Sequence, residues 1–256
     1  MFLVTRGATM TMPIVRRIVC GCALFAATLT ITVAQQPPNP AERGAQGRGG
    51  AAGARGAAPA PAAAPLFFRE TWKQQPNGQQ HPVTPDVVSN PSLELKLYGA
   101  SAKEILVTGN NNNGGVIWLF SGLTTTPIAV TLRDKNNYVD LSGSAKIHWT
   151  IRTAGFHAAR PVVKLADGTW LVGDHADMSP NYFNEIEFSP SQVRWLLLDT
   201  DRMVTITKTN GQWVENVDLT KVDEVGYADL MPSSGHGFGG HSSLGPIAVY
   251  GTPVKR

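Results

Sequence analysis

Cysteine is nearly absent from this chain of 256 residues: Cys20 and Cys22 are the only two. Both fall in one short apolar run near the start. The remainder therefore has no disulfide, no thiol nucleophile and no thiolate metal site, and its stability must rest on a packed core. Long apolar runs are missing too. Residues 18–33 form a run of 16, against the ~20 that a helical bilayer span needs. No sustained 3.6-residue periodicity of ordinary helix length occurs. An excess of basic charge is also lacking once the chain is divided. The whole chain carries 22 basic and 19 acidic residues, but six of the basic and one of the acidic precede residue 66. Sixteen basic then face eighteen acidic residues, a balance of −2. Nucleic-acid binding leaves a basic excess on the domain itself, so that partner class is set aside.

What the sequence does have begins with a leader. Arg16 and Arg17 precede the apolar run, which ends in Thr32, Val33 and Ala34 before Gln35. A positive start, a short apolar middle and small residues at the cut are the layout of a signal peptide over residues 1–34. The expected location is secreted or periplasmic, with no stable membrane span after cleavage. Residues 35–65 are rich in Ala, Gly, Pro and Gln. Such a segment buries too little apolar surface to offset chain entropy and reads as a disordered linker. Residues 66–256 hold all six tryptophans and are long enough for one domain with a full core.

Within that domain, short segments of strand character recur between Gly, Asn, Pro and Asp. Residues 93–98, 116–120, 128–133, 193–198, 203–207, 222–227 and 246–250 are of this kind. Residues 145–152 alternate most clearly, with Ile147, Trp149 and Ile151 expected in the core and Lys146, His148, Thr150 and Arg152 facing away. Asp167-Gly168 between residues 162–165 and 169–172 predicts a hairpin. About ten short strands with frequent turns predict an all-β antiparallel β-sandwich.

Residues 138–143, 145–152, 164–172, 222–230 and 247–251 together resemble the galactose-binding-like, jelly-roll β-sandwich of secreted carbohydrate-binding modules. The resemblance covers roughly residues 90–251. It implies that the last strand pairs back near the start of the domain and that the partner is a carbohydrate or cell-envelope glycan. A weaker similarity is to concanavalin-like sandwiches of secreted glycoside hydrolases. The Glu-x-Asp-x-x-Glu strand of family 16 enzymes is absent, which counts against a retaining hydrolase of that type.

Six residues form the predicted ligand surface: His148, Arg152, Lys164 and Trp170 on a polar strip beside an aromatic, with Asp174 and His175 at its rim. A ring face takes sugar C–H groups while charged donors bond hydroxyls. The strip reading assumes that Lys164 and Trp170 share a sheet with His148. A solvated outer face is the blander alternative. Asp174, His175 and Asp177 also suit a metal or acid/base site, or simply a turn. Glu185 and Glu187 alternate on one face, as the acid and base of glycoside cleavage or as the charges of an edge strand. Residues 233–242 read as a Gly-rich surface loop with His236 and His241. Residues 110–113, four asparagines before Gly114, read as a long hairpin turn whose side-chain carbonyls offer oxygen donors to a structural calcium. No other cofactor is expected. The expected function is a non-catalytic carbohydrate-binding protein. A glycan-active hydrolase or lyase and a structural envelope domain remain as alternatives.

Overall fold

The computed structural model describes residues 62–109, 115–205, 213–232 and 239–256. The predicted leader, nearly all of the linker, the asparagine run and most of the Gly-rich loop lie outside the described residues.

Sixteen strands are present among the described residues, more than the ten expected. They are β1 Leu66–Glu70, β2 His81–Pro82, β3 Leu93–Tyr98, β4 Leu106–Gly109, β5 Ile117–Phe120, β6 Ile128–Asp134, β7 Asn137–Asp140 and β8 Lys146–Ala154. There follow β9 Arg160–Leu165, β10 Trp170–Gly173, β11 Asn184–Phe188, β12 Trp195–Asp199, β13 Val204–Thr205, β14 Val222–Asp229, β15 His241–Tyr250 and β16 Thr252–Lys255. The strands form two antiparallel sheets. The seven-stranded sheet runs β11-β8-β15-β5-β4-β2, with β1 also paired to β15. The nine-stranded sheet runs β13-β12-β10-β9-β14-β6-β3, with β7 and β16 attached beside β14.

Alternation explains the packing. In β8, Ile147, Trp149 and Ile151 are buried and pack with Val163 and Leu171 of the other sheet in one apolar core. This is the expected two-layer sandwich. The hairpin at Asp167-Gly168 is also present: Trp170 stands opposite Lys164, Asp167 accepts the Thr169 N–H at 2.9 Å, and Gly168 takes φ +91°. Pairing near the start of the domain is seen as well, since Leu66 of β1 stands opposite Tyr250 of β15.

Two expectations need correction. Residues 239–242 are not all surface loop. His241 and Ser242 open β15 and are buried, because they pair with Ala154 and Thr153 of β8 in the middle of a sheet. Nor is the second outer face simply wet. Ala129, Val162, Val172, Leu198, Met203 and Ala228 form a separate apolar cluster on the outside of the nine-stranded sheet, with Trp170 and Trp213 packed against it.

Candidate functional site

The six predicted residues do not form one surface. His148 and Arg152 project from β8 on the outer face of the seven-stranded sheet. Lys164 and Trp170, on β9 and β10, project from the outer face of the other sheet. The chain crosses between sheets at residues 155–159, so the hairpin after β8 cannot extend its polar strip. The assumption of a shared sheet is therefore overturned.

Lys164 and Trp170 belong to a closed network. Glu224, 2% exposed, accepts hydrogen bonds from the Tyr98 hydroxyl (2.9 Å) and the Thr131 hydroxyl (2.5 Å), with Lys164 Nζ at 3.2 Å. Tyr98 meets Trp170 edge-on at 4.6 Å, and Lys164 lies 5.5 Å from the Trp170 ring centre. Burial and the neighbouring Glu224 charge push the Tyr98 hydroxyl far above its ordinary pKa, so it stays a donor. Tyr98, Thr131 and Lys164 thus meet on one carboxylate, which ties β3, β6, β9 and β14 together at this point.

Asp174 and His175 are also engaged. Asp174 accepts the Arg194 N–H at 2.9 Å and donates its own N–H to the Arg194 carbonyl at 2.8 Å. His175 stacks on Phe188 at 4.5 Å and lies 3.0 Å from Asp177, which also accepts the Trp149 indole N–H at 2.7 Å. Among the described residues no group of three metal-ligating side chains comes together. Glu187, at the sheet edge on β11, holds Lys146 at 2.7 Å and His148 at 2.5 Å. The Lys146 hydrogen bond and charge lower its pKa, so it is an ionised partner rather than a proton donor. Asp174, His175 and Glu187 line one open cleft of 420 Å³. The rim residues thus share a cleft with Glu187, which stands opposite His148 of β8.

Arg152 is different. Its guanidinium lies 5.3 Å from the centre of the Trp118 ring and 4.8 Å from that of Phe183. Its Nε and Nη2 are buried and have no hydrogen-bond partner among the described residues, and no carboxylate among those residues forms an ion pair with it. Burial alone lowers its pKa, with no acid contributing. Trp118 Nε1 and Ser243 Oγ are buried and unspent as well, and Ser243 stands directly opposite Arg152 in the β8–β15 pair. Each unmet buried donor costs about 1–3 kcal/mol, so four of them on one patch are an unusual expense. The strip continues along β8 to Thr150 and His148, which line a small cavity of 100 Å³ with Arg69, Glu185 and Ala248. Tyr250 packs on His148 at 5.0 Å.

Another cleft, of 920 Å³, includes Trp195, Glu215 and Arg194, whose guanidinium is 4.1 Å from the Trp213 ring centre. Arg194 is exposed, so its donors are open to solvent. Arg152 has no such recourse at its buried nitrogens, and that difference singles out the seven-stranded sheet.

Trp118 and Phe183 were missed by sequence reasoning. Phe183 was within reach, because the period-two pattern of Glu185 and Glu187 extends back to it. Trp118 was not, because its nearness to Arg152 needs β5 and β8 to flank the same central strand β15.

No family model matches this chain, and no curated protein matches it. Among solved structures the chain is similar to a family 11 carbohydrate-binding module from Clostridium thermocellum, in complex with a beta-1,3-1,4-mixed-linked tetrasaccharide. The identity is 14% and the TM-score 0.42, over 69% of this chain and 98% of that one. It is also similar to the family 11 module of the cellulosomal cellulase Lic26A-Cel5E of the same organism, at 13% identity and TM-score 0.39, over 68% and 95%. An exo-beta-agarase is a further similar structure, at 11% identity and TM-score 0.38, over 73% of this chain and 26% of that one. Carbohydrate-binding modules are thus among the solved structures to which this all-β chain bears a loose resemblance, at low identity.

Proposed function

We propose that this chain is an exported, non-catalytic carbohydrate-binding protein, and that its ligand lies along the outer face of the seven-stranded sheet. One observation carries the reading: two aromatic rings, Trp118 and Phe183, flank a guanidinium whose buried N–H groups have no partner among the described residues. Ring faces and unspent donors are the two ingredients of sugar recognition. Thr150, His148 and Arg69 extend the strip by further polar groups. Glu187 is held ionised by Lys146 and His148, which leaves it unsuited to act as a general acid.

The test is binding of the purified full chain to a glycan array, with reducing-end release measured in parallel. The expected result is binding without release, quenching or enhancement of tryptophan fluorescence, and loss of both in Trp118→Ala. Silence across the array, or unchanged binding in Trp118→Ala, overturns the proposal. Release of reducing ends that disappears in Glu185→Gln turns the reading to a glycan-active enzyme.

A further inference from the structure

We propose that the glycan is acidic, bearing a carboxylate or sulfate ester, and that the Arg152 guanidinium is the anchor for that anionic group. The inference rests on the reading of this face as a glycan surface and names the class of glycan.

Three observations point the same way. First, the unspent groups on this patch include far more donors than acceptors. Arg152 Nε and Nη2 and Trp118 Nε1 can only donate, and the Ser243 hydroxyl can donate as well. A neutral sugar hydroxyl uses one donor at a time, whereas a carboxylate or sulfate presents several acceptor oxygens to one guanidinium. Second, the cation has no counter-charge among the described residues. The ion pairs of the described residues leave Arg152 out, although Glu185 stands on the same face, opposite the neighbouring Thr150. Glu187, the other acid of β11, is already engaged by Lys146 and His148. Third, the rings of Trp118 and Phe183 replace water on the flanks of the guanidinium. A charge pair formed there is less screened than one in open solvent. Arg152 as a whole is half-buried, so an anion meets the exposed part of the guanidinium first, and the buried Nε and Nη2 come within its reach only as the flanking Trp118 and Phe183 side chains yield.

The same geometry makes Glu185 an opposing charge. It sits next along the strip from Phe183, is exposed, and adds repulsion to any anion that Arg152 receives. Its removal should therefore strengthen binding.

The experiment measures binding of the full chain to three soluble polymers of matched length: polygalacturonate, dextran sulfate and unmodified dextran. Each is titrated at low and high salt. The expected result is at least about tenfold tighter binding of one or both anionic polymers than of dextran, lost progressively as salt rises. Preference for polygalacturonate identifies the carboxylate as the source, and preference for dextran sulfate identifies the sulfate ester. Arg152→Met should remove the preference while the thermal unfolding temperature is no lower than that of the wild type, since two unmet buried donors are lost with the guanidinium. Arg152→Lys, which keeps the charge without the planar fork, should retain a weakened preference, and Glu185→Gln should strengthen it. Equal binding of dextran, or an anion preference that survives in Arg152→Met, overturns the acidic ligand while leaving the glycan surface standing. If neither these polymers nor the glycan array give binding, both readings fall. The salt titration of the wild type decides the matter even if the Met variant folds poorly.

Discussion

Glu70 is a wholly buried acid on which five donors converge. Its Oε1 accepts from the Thr71, Trp72 and Ser89 N–H groups and the Ser89 hydroxyl at 2.6–3.0 Å, and its Oε2 accepts from the Asn90 N–H at 3.0 Å. The clamp holds Trp72 at φ +58°, a conformation that costs a bulky residue about 1–3 kcal/mol. It also seats the indole, whose N–H donates to the Gly245 carbonyl at 2.8 Å. Glu70→Gln turns one acceptor into a donor facing a donor and should cost about 2–3 kcal/mol, read as a lower urea midpoint at unchanged slope. Asp223 supplies the pH-dependent counterpart. Burial raises its pKa, but hydrogen bonds from Arg133 (2.9 Å) and Arg256 (2.5 Å), with their charges, outweigh this and hold it below the ordinary 3.8. A depressed folded-state pKa contributes stability that is present above the unfolded value and is lost as pH falls through the folded one. The stability gap between wild type and Asp223→Asn should therefore be full at neutral pH and close in acid, below the ordinary aspartate range. Urea titrations across that range check it.

At the scale of the element, β14 shows how little slack the nine-stranded sheet has. A Cβ at Gly226 would stand 1.9 Å from the Val130 carbonyl oxygen of β6, a backbone atom that cannot yield locally. Gly226→Ala should cost at least ~2 kcal/mol or prevent folding, measured by denaturant unfolding or by soluble yield. This constraint was invisible in the sequence, where residues 222–227 read only as a strand. The alternation of β8 was legible because core and solvent impose period two on neighbours. The β9–β10 hairpin was legible because Asp167-Gly168 is local turn chemistry. Sheet membership was not. The β8–β15 and β1–β15 pairs join residues far apart in sequence, and nothing local says that the chain changes sheets between Ala154 and Arg160. For that reason His148 and Arg152 were rightly placed on one face, while Lys164 and Trp170 were assigned to a surface they do not share. Asp174 and His175 line a cleft, each with one side-chain hydrogen bond inside the protein.

At the scale of the whole molecule, the sandwich relies on burial without covalent links. If the leader is cut after Ala34, intact mass of the exported protein should begin at Gln35, and its melting temperature should be the same with and without reductant. An uncut leader, or a shift with reductant, contradicts the expected processing. The alternation of β8 carries a last consequence. Ile151 packs into the core and Arg152 faces the proposed ligand, so affinity and cooperative unfolding share a single backbone segment. Ligand should accordingly slow amide hydrogen exchange not only at the contact but along β8 and its partner β15, whose N–H groups open only when that segment opens. Slowing confined to loop amides would mean that occupancy of the face and rigidity of the body are separate properties.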